Sequence, residues 1–251
     1  MVYQFFSPMK FWTPIVKPSA GNPNVLPAYV QISELLIREI SAGRLMDGER
    51  LPPERDMAKT LNTSVGTLRK ALAILVDKQL LERVQGSGNY VRHGGVGDSI
   101  YAMFRLELLA GGGLPRARVL SIQAMAKPDD LPKFGTSAHT TRIRRLRFLN
   151  ETIIGVEEIW LDADAGDVPE GAISDSLYHF YQQRLGLWIA RAEDRVGIGA
   201  VPDWAPVEFT KPVGMTTGYI ERFSWTDAPE AVEFSRTWFD TDRALYVQRL
   251  K

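Results

Sequence analysis

The residues from Leu61 to Val91, LNTSVGTLRKALAILVDKQLLERVQGSGNYV, constrain this chain more than any other stretch. Leu68, Leu72 and Leu75, with Ala71 beside them, recur at helical spacing and predict one buried helix face. The opposite face of the first two turns carries Thr67, Arg69 and Lys70, which are hydrogen-bond donors and cations. Leu80 to Val84 and Asn89 to Val91 then read as short strands around Gln85-Gly86-Ser87-Gly88, whose glycines permit a tight turn and close approach to another surface. A helix with small polar and basic side chains at its N-terminal end, followed by a glycine-tipped hairpin, is what a winged helix-turn-helix presents to DNA.

The preceding residues complete that unit. Leu26-Pro27-Ala28-Tyr29 opens a helix to about Ala42, with Tyr29, Ile32, Leu36 and Ile40 on one stripe and Glu34–Arg38 as an outward i,i+4 pair. Gly43 ends it. Met46 to Glu49 reads as a turn and Arg50 to Pro53 as an extended piece. A short helix from Glu54 to Leu61 turns Met57, Ala58 and Leu61 inward and leaves Arg55 and Lys59 outside. Thr63 or Ser64 caps the third helix.

The 30 basic and 30 acidic residues cancel, so a nucleic-acid partner has to be argued from distribution. Between Arg55 and Arg92, the cations Arg55, Lys59, Arg69, Lys70, Lys78, Arg83 and Arg92 outnumber the anions Asp56, Asp77 and Glu82. A basic reading head on a neutral-to-acidic body is the expectation. There is no cysteine, which excludes a disulfide framework and a thiolate metal site. No apolar run approaches the roughly 18 residues of a membrane helix, and residues 1–24 have no signal-peptide core. A soluble, cytoplasmic protein with a loosely packed N-terminal arm is expected.

Residues Leu26 to Arg92 resemble the DNA-binding domain of the GntR family of bacterial transcriptional regulators. The blocks PAYVQI, ISAGRLMDGERLPPERDMA, TSVGTLRKAL and LLERVQGSGNYV occur in the family's order and spacing. The resemblance implies that Arg55 reaches DNA from the second helix, that Ser64, Thr67 and Arg69 sit at the groove end of the recognition helix, and that Gly86 tips the wing. Pro53 stands where the family commonly has a capping serine. Val65 and Gly66 stand where many members carry arginine and threonine, which shifts base readout toward Arg69, Lys70, Arg55 and the wing with Gln85. The bottom-up chemistry agrees: hydroxyls and helix N-terminal amides suit phosphate oxygens, and arginine grips guanine bidentately.

His93-Gly94-Gly95-Val96-Gly97-Asp98 is a linker by composition, and Gly111-Gly112-Gly113 a further flexible stretch. The expected organisation is an arm at 1–24, a winged helix-turn-helix at 25–93, a linker at 94–100 and a second domain at 101–251. In that second domain, alternation predicts strands at Tyr101–Leu109, Val119–Ala126, Thr140–Leu149, Ile153–Leu161, Ala192–Gly199, Tyr219–Trp225, Ala231–Phe239 and Ala244–Leu250. Helices are expected at Leu131–Phe134, Ser176–Leu185 and Pro202–Phe209. A mostly antiparallel sheet with segregated helices is an α+β domain.

Arg145-Leu146-Arg147, the turn Asn150-Glu151-Thr152-Ile153, Glu157-Glu158-Ile159-Trp160-Leu161, the Ser176-Leu177-Tyr178 helix with Leu185-Gly186, and Ala231-Val232-Glu233-Phe234-Ser235 resemble UTRA, the effector domain of the HutC branch of GntR regulators. The resemblance implies a chorismate-lyase-like fold that binds a small metabolite and thereby alters DNA affinity. Arg145 and Arg147, two apart on a strand, share a face and can fork onto one anion, and in the family such arginines hold the ligand's acidic group. Glu157 and Glu233 align with acidic positions, Trp160 replaces a usual tyrosine, and Tyr178 and Ser235 complete the expected effector set. Asp240 and Ala244 replace a family arginine and tyrosine, which removes a cation and a phenol.

The expected function is a ligand-responsive repressor that binds double-stranded operator DNA as a homodimer, coupled through the Val96–Asp98 linker, without cofactor, metal or membrane. The competing class is a small-molecule enzyme of chorismate-lyase-like fold fused to a DNA-binding head. His93, His139 and His179 are scattered, without metal-ligand spacing, and no nucleophile elbow, phosphate-cradling loop or dinucleotide fingerprint appears.

Overall fold

The computed structural model describes residues 26–93, 99–173 and 175–249. The expected N-terminal arm and the Val96–Asp98 hinge lie outside them. The chain forms two compact units, one built on residues up to Ala102 with Ala110–Leu114, the other on Met103–Leu109 and Pro115–Val247.

In the first unit, α1 (Ala28–Ser41), α2 (Glu54–Thr60) and α3 (Val65–Asp77) precede the antiparallel hairpin β1 (Leu81–Val84) and β2 (Gly88–Val91). Ile32, Leu36 and Ile40 of α1, Met57 and Ala58 of α2, Leu61 just after it, and Leu68, Leu72 and Leu75 of α3 are all buried, as the apolar spacing dictates. Two expectations fail. Glu34 is buried, and its Oε2 accepts from Ser99 Oγ at 2.6 Å instead of facing solvent with Arg38. Gly112 is packed: at φ +68° its backbone passes so close to α1 that a Cβ would lie 2.7 Å from Glu39 Oε1.

The second unit is a six-stranded, wholly antiparallel sheet in the order β4-β5-β6-β9-β8-β7. Its strands are β4 (Pro115–Ala126), β5 (His139–Leu149), β6 (Thr152–Asp162), β7 (Arg191–Ala200), β8 (Thr216–Trp225) and β9 (Glu233–Phe239). A short pair, β3 (Leu106–Leu108) with β10 (Ala244–Tyr246), lies beside it. Helix α4 (Leu177–Phe180) continues as a π-helical turn over Tyr181–Leu185 and ends on Gly186 at φ +66°.

Three expected elements differ. Residues 131–134 have no regular structure and 202–209 are turns, because Pro132 and Pro206 remove an N–H from within each segment. The second of these is two successive turns, closed by Ala205 N–H to Pro202 O and Phe209 N–H to Pro206 O. The strand expected from Tyr101 shrinks to Leu106–Leu108, since Ser99–Ala102 forms a turn held by Ser99.

Both sheet faces are covered. On one, Ile143, Ile159 and Leu161 pack under Leu177, Phe180 and Tyr181, while Leu149, Ile220 and Phe239 pack with Leu106 and Ala244. On the other, Trp160, Phe223 and Phe234 gather around Phe134, and Leu146, Val156 and Trp238 around Val201 and Phe209. Between the two apolar clusters of the first face runs a polar band.

Candidate functional site

The strand register builds the polar band. Arg145 on β5 pairs with Glu157 on β6, which pairs with Thr237 on β9, so these side chains emerge on one face. Two-residue periodicity adds Arg147, Glu233 and Ser235, and the pairings Ser224↔Glu233, Arg222↔Ser235 and Asp194↔Arg222 extend the face across β8 and β7.

At one end, Arg145 Nη2 and Arg147 Nη1 converge on Glu157 Oε1 at 2.5 and 3.2 Å. Burial alone would raise the Glu157 carboxyl, but the two guanidinium charges more than offset it and hold it below its ordinary value. The Glu157 oxygen is thus shared by two guanidinium groups. Arg145 is only 4 % exposed, and its Nε and Nη1 have no hydrogen-bond partner among the described residues. Buried donors of this kind call for an acceptor. Asp175, nearby, accepts from Ala117 N–H at 3.2 Å, and its carboxyl is raised by burial.

At the other end, Glu233 is the hub. Its Oε2 accepts from Tyr181 Oη at 2.7 Å, and its Oε1 accepts from Ser224 Oγ at 2.9 Å and Tyr178 Oη at 3.1 Å. Burial pushes this carboxyl up, only partly countered by the three hydroxyls. Tyr178 and Tyr181, their rings stacked 5.9 Å apart, are both raised by burial and then by the Glu233 charge. Next to them, Arg222 makes a bidentate pair with Asp194 at 2.5 and 2.7 Å, and Tyr246 Oη donates to Asp194 Oδ2 at 2.7 Å. Arg222 and Tyr246 thus return to this face a cation and a phenol. Asp240 is meanwhile buried against Lys211, and Ala244 sits in the apolar cluster.

Of the expected effector residues, the fold brings together Arg145, Arg147, Glu157, Tyr178, Glu233 and Ser235. Trp160 is set apart: it projects from the opposite face into the Phe134–Phe234 cluster, with Arg142 over its ring, because its parity on β6 is opposite to that of Glu157. Sequence reasoning missed Arg222, Asp194, Ser224, Tyr246 and Tyr181 as members of the band. The available signal was the shared parity of Arg222 and Ser224.

In the first unit, Ser64 caps α3 by accepting from Thr67 N–H at 3.0 Å, and the two hydroxyls also meet at 2.8 Å. Arg55, Gly66, Arg69, Lys70, Gln85 and Gly86 are exposed, whereas Val65 and Thr67 are half-buried. Gly86 takes φ +73° at the hairpin tip, a conformation that glycine adopts without strain. Between hairpin and helices lies a cavity of about 600 Å³, lined by Arg50, Glu54, Arg69, Arg83 and the hairpin turn.

Among the described residues, no cluster of three or more His, Asp or Glu could hold a metal ion, and no helix is long and apolar enough to cross a membrane.

Comparison with known proteins agrees with both units. A family model described as "Bacterial regulatory proteins, gntR family" matches residues 28–91, and the UTRA domain model matches residues 110–244. The chain is 52% identical over 227 residues to the HTH-type transcriptional regulator SmoD of Agrobacterium fabrum, covering 90% of this chain and 97% of that protein. It is 26% identical to the mannosyl-D-glycerate transport/metabolism system repressor MngR of Escherichia coli, over 86% of this chain and 92% of that one. The possible transcriptional regulator YydK from Bacillus subtilis shares the fold at a TM-score of 0.51 and 19% identity, covering 90% of this chain and all of that chain. The ligand-binding domain of a putative GntR-family regulator from Bordetella bronchiseptica does so at 0.52 and 21%, covering 59% and 96%.

Proposed function

Since this chain belongs to the GntR family of bacterial regulatory proteins and carries a UTRA domain, we propose that it is a cytoplasmic, homodimeric repressor whose hold on operator DNA is set by a small acidic metabolite. That it is a transcriptional regulator follows from the family and from its relatives, and the enzyme alternative is set aside on the same ground. The arm at 1–24, head at 25–93, linker at 94–100 and effector domain at 101–251 remain our division of its labour.

The observation that carries the acidic effector is Arg145, paired with Arg147 on Glu157, with two buried donors unpartnered among the described residues. An anion entering there gains charge-assisted hydrogen bonds. Glu233 with Tyr178, and Ser235 next to Arg222, offer acceptors and donors to the rest of the molecule. Trp160, on the far face, has no part in this polar band. On the head, Arg55, Arg69, Lys70 and Gln85 with Gly86 face the duplex, Val65, Gly66 and Thr67 shape the approach, and Ser64 holds the helix start.

Ligand binding shifts DNA occupancy only by favouring one arrangement of the protein over another. The test is anisotropy of the full chain on duplex from its own upstream region, titrated with small carboxylates, phosphosugars and amino-acid catabolites. An effector-dependent change in affinity is expected. A chain without DNA affinity that turns over one of these molecules would overturn the reading.

A further inference from the structure

We infer that Glu54 is a specificity-setting positioning residue, which holds Arg69 so that its outer edge reads a base rather than a phosphate; this rests on the DNA-reading assignment above. Glu54 is the first residue of α2, and its Oε2 accepts from Arg69 Nε on α3 at 2.6 Å, while its Oε1 faces Arg83 Nη2 on β1 at 3.6 Å. Arg83 Nε in turn donates to Asn89 Oδ1 at 3.4 Å across the hairpin. The side chains of Arg69 and Arg83 are 64% and 52% exposed and that of Glu54 only 22%, so the carboxylate is the fixed member and the arginines are presented by it.

The geometry of the fork decides what Arg69 offers. With Nε occupied, the Nη1/Nη2 edge has no partner among the described residues, and that edge matches the paired acceptors O6 and N7 of guanine. A carboxylate at the head of a DNA-facing cavity also repels phosphates, so it weakens sequence-independent binding. Its benefit therefore lies in discrimination, a difference between affinities. The solvated-salt-bridge reading predicts no such division, since an exposed pair contributes little to stability.

The full chain would select duplexes from a randomised library, and the base pair read by Arg69 is the one at which Arg69→Ala loses discrimination. Glu54→Gln is expected to reduce discrimination at that base pair roughly tenfold while binding to an unrelated duplex tightens. A purely structural role would not move these two readouts in opposite directions. Retained discrimination in a Glu54→Gln protein with unchanged circular dichroism would overturn the inference. In the Arg69→Ala background, Glu54→Gln should add no further loss at that base pair, and an equal further loss would overturn it. Glu54→Asp keeps the charge but withdraws the carboxylate from Arg69 Nε by one methylene, so it should lose discrimination at the same base pair; keeping it would overturn the inference even if Glu54→Gln does not fold. A wild-type chain that selects no duplex would instead overturn the DNA-reading assignment beneath it.

Discussion

Arg145 Nη2 lies 2.5 Å from Glu157 Oε1, and Arg145 and Glu157 are 4 % and 8 % exposed. Arg147 shares the same oxygen, so two buried guanidinium groups depend on this carboxylate. Removing one member of a buried ion pair leaves the remaining charges uncompensated. Glu157→Ala is expected to destabilise the second unit by about 3–5 kcal/mol, read as a lower urea midpoint at unchanged slope. A loss below about 1 kcal/mol, typical of exposed pairs, would mean that water screens the cluster.

The two buried carboxylates of the band respond oppositely to pH. Glu157 is held below its ordinary value, so its stabilisation is present above the unfolded-state value and is lost as pH falls through the lower folded one. Glu233 is raised above 4.5 by burial, so its favourable state is the protonated one, and stability falls as pH rises through the elevated value. Urea midpoints of wild type and Glu233→Gln should therefore diverge as pH rises from 4.5, with the wild type losing more. Parallel curves would refute the raised value.

Tyr181→Phe removes one of three hydroxyl donors to Glu233 while keeping the ring between Leu177 and Phe180. The carboxylate then loses its 2.7 Å bond, at an expected cost of about 1–3 kcal/mol. A loss below about 0.5 kcal/mol in urea unfolding would mean that Ser224 and Tyr178 alone satisfy the carboxyl.

How much of this was legible before the fold was known differs between the units. The head could be read almost residue by residue, because its buried face follows helical period and its hairpin is marked by Gly86 and Gly88. Glu34 misled, since an i,i+4 charge pair is also what a buried acid with a remote partner, here Ser99, looks like in one dimension. In the sheet, strand positions followed alternation, but with both faces covered the parity that separates Glu157 from Trp160 could not be assigned to inside or outside. Arg222 and Asp194 meet only because β7 and β8 pair across 28 residues of sequence, and no local pattern encodes that.

Ser64→Ala deletes the α3 cap and leaves Thr67 N–H without its 3.0 Å acceptor. A loss of about 1 kcal/mol is expected in the stability of the head, measured by urea unfolding. Operator affinity should fall by no more than the destabilised fraction explains; a far larger drop would assign the Ser64 hydroxyl a direct DNA contact.

The most direct measurement is a parallel anisotropy titration of wild type and Arg147→Ala on the selected operator duplex, with and without the metabolite that raises the wild-type melting temperature in a thermal-shift screen. The account predicts equal affinity of the two proteins for the duplex alone, and a metabolite-dependent change in the wild type only. An Arg147→Ala protein that responds to the metabolite as the wild type does would contradict it.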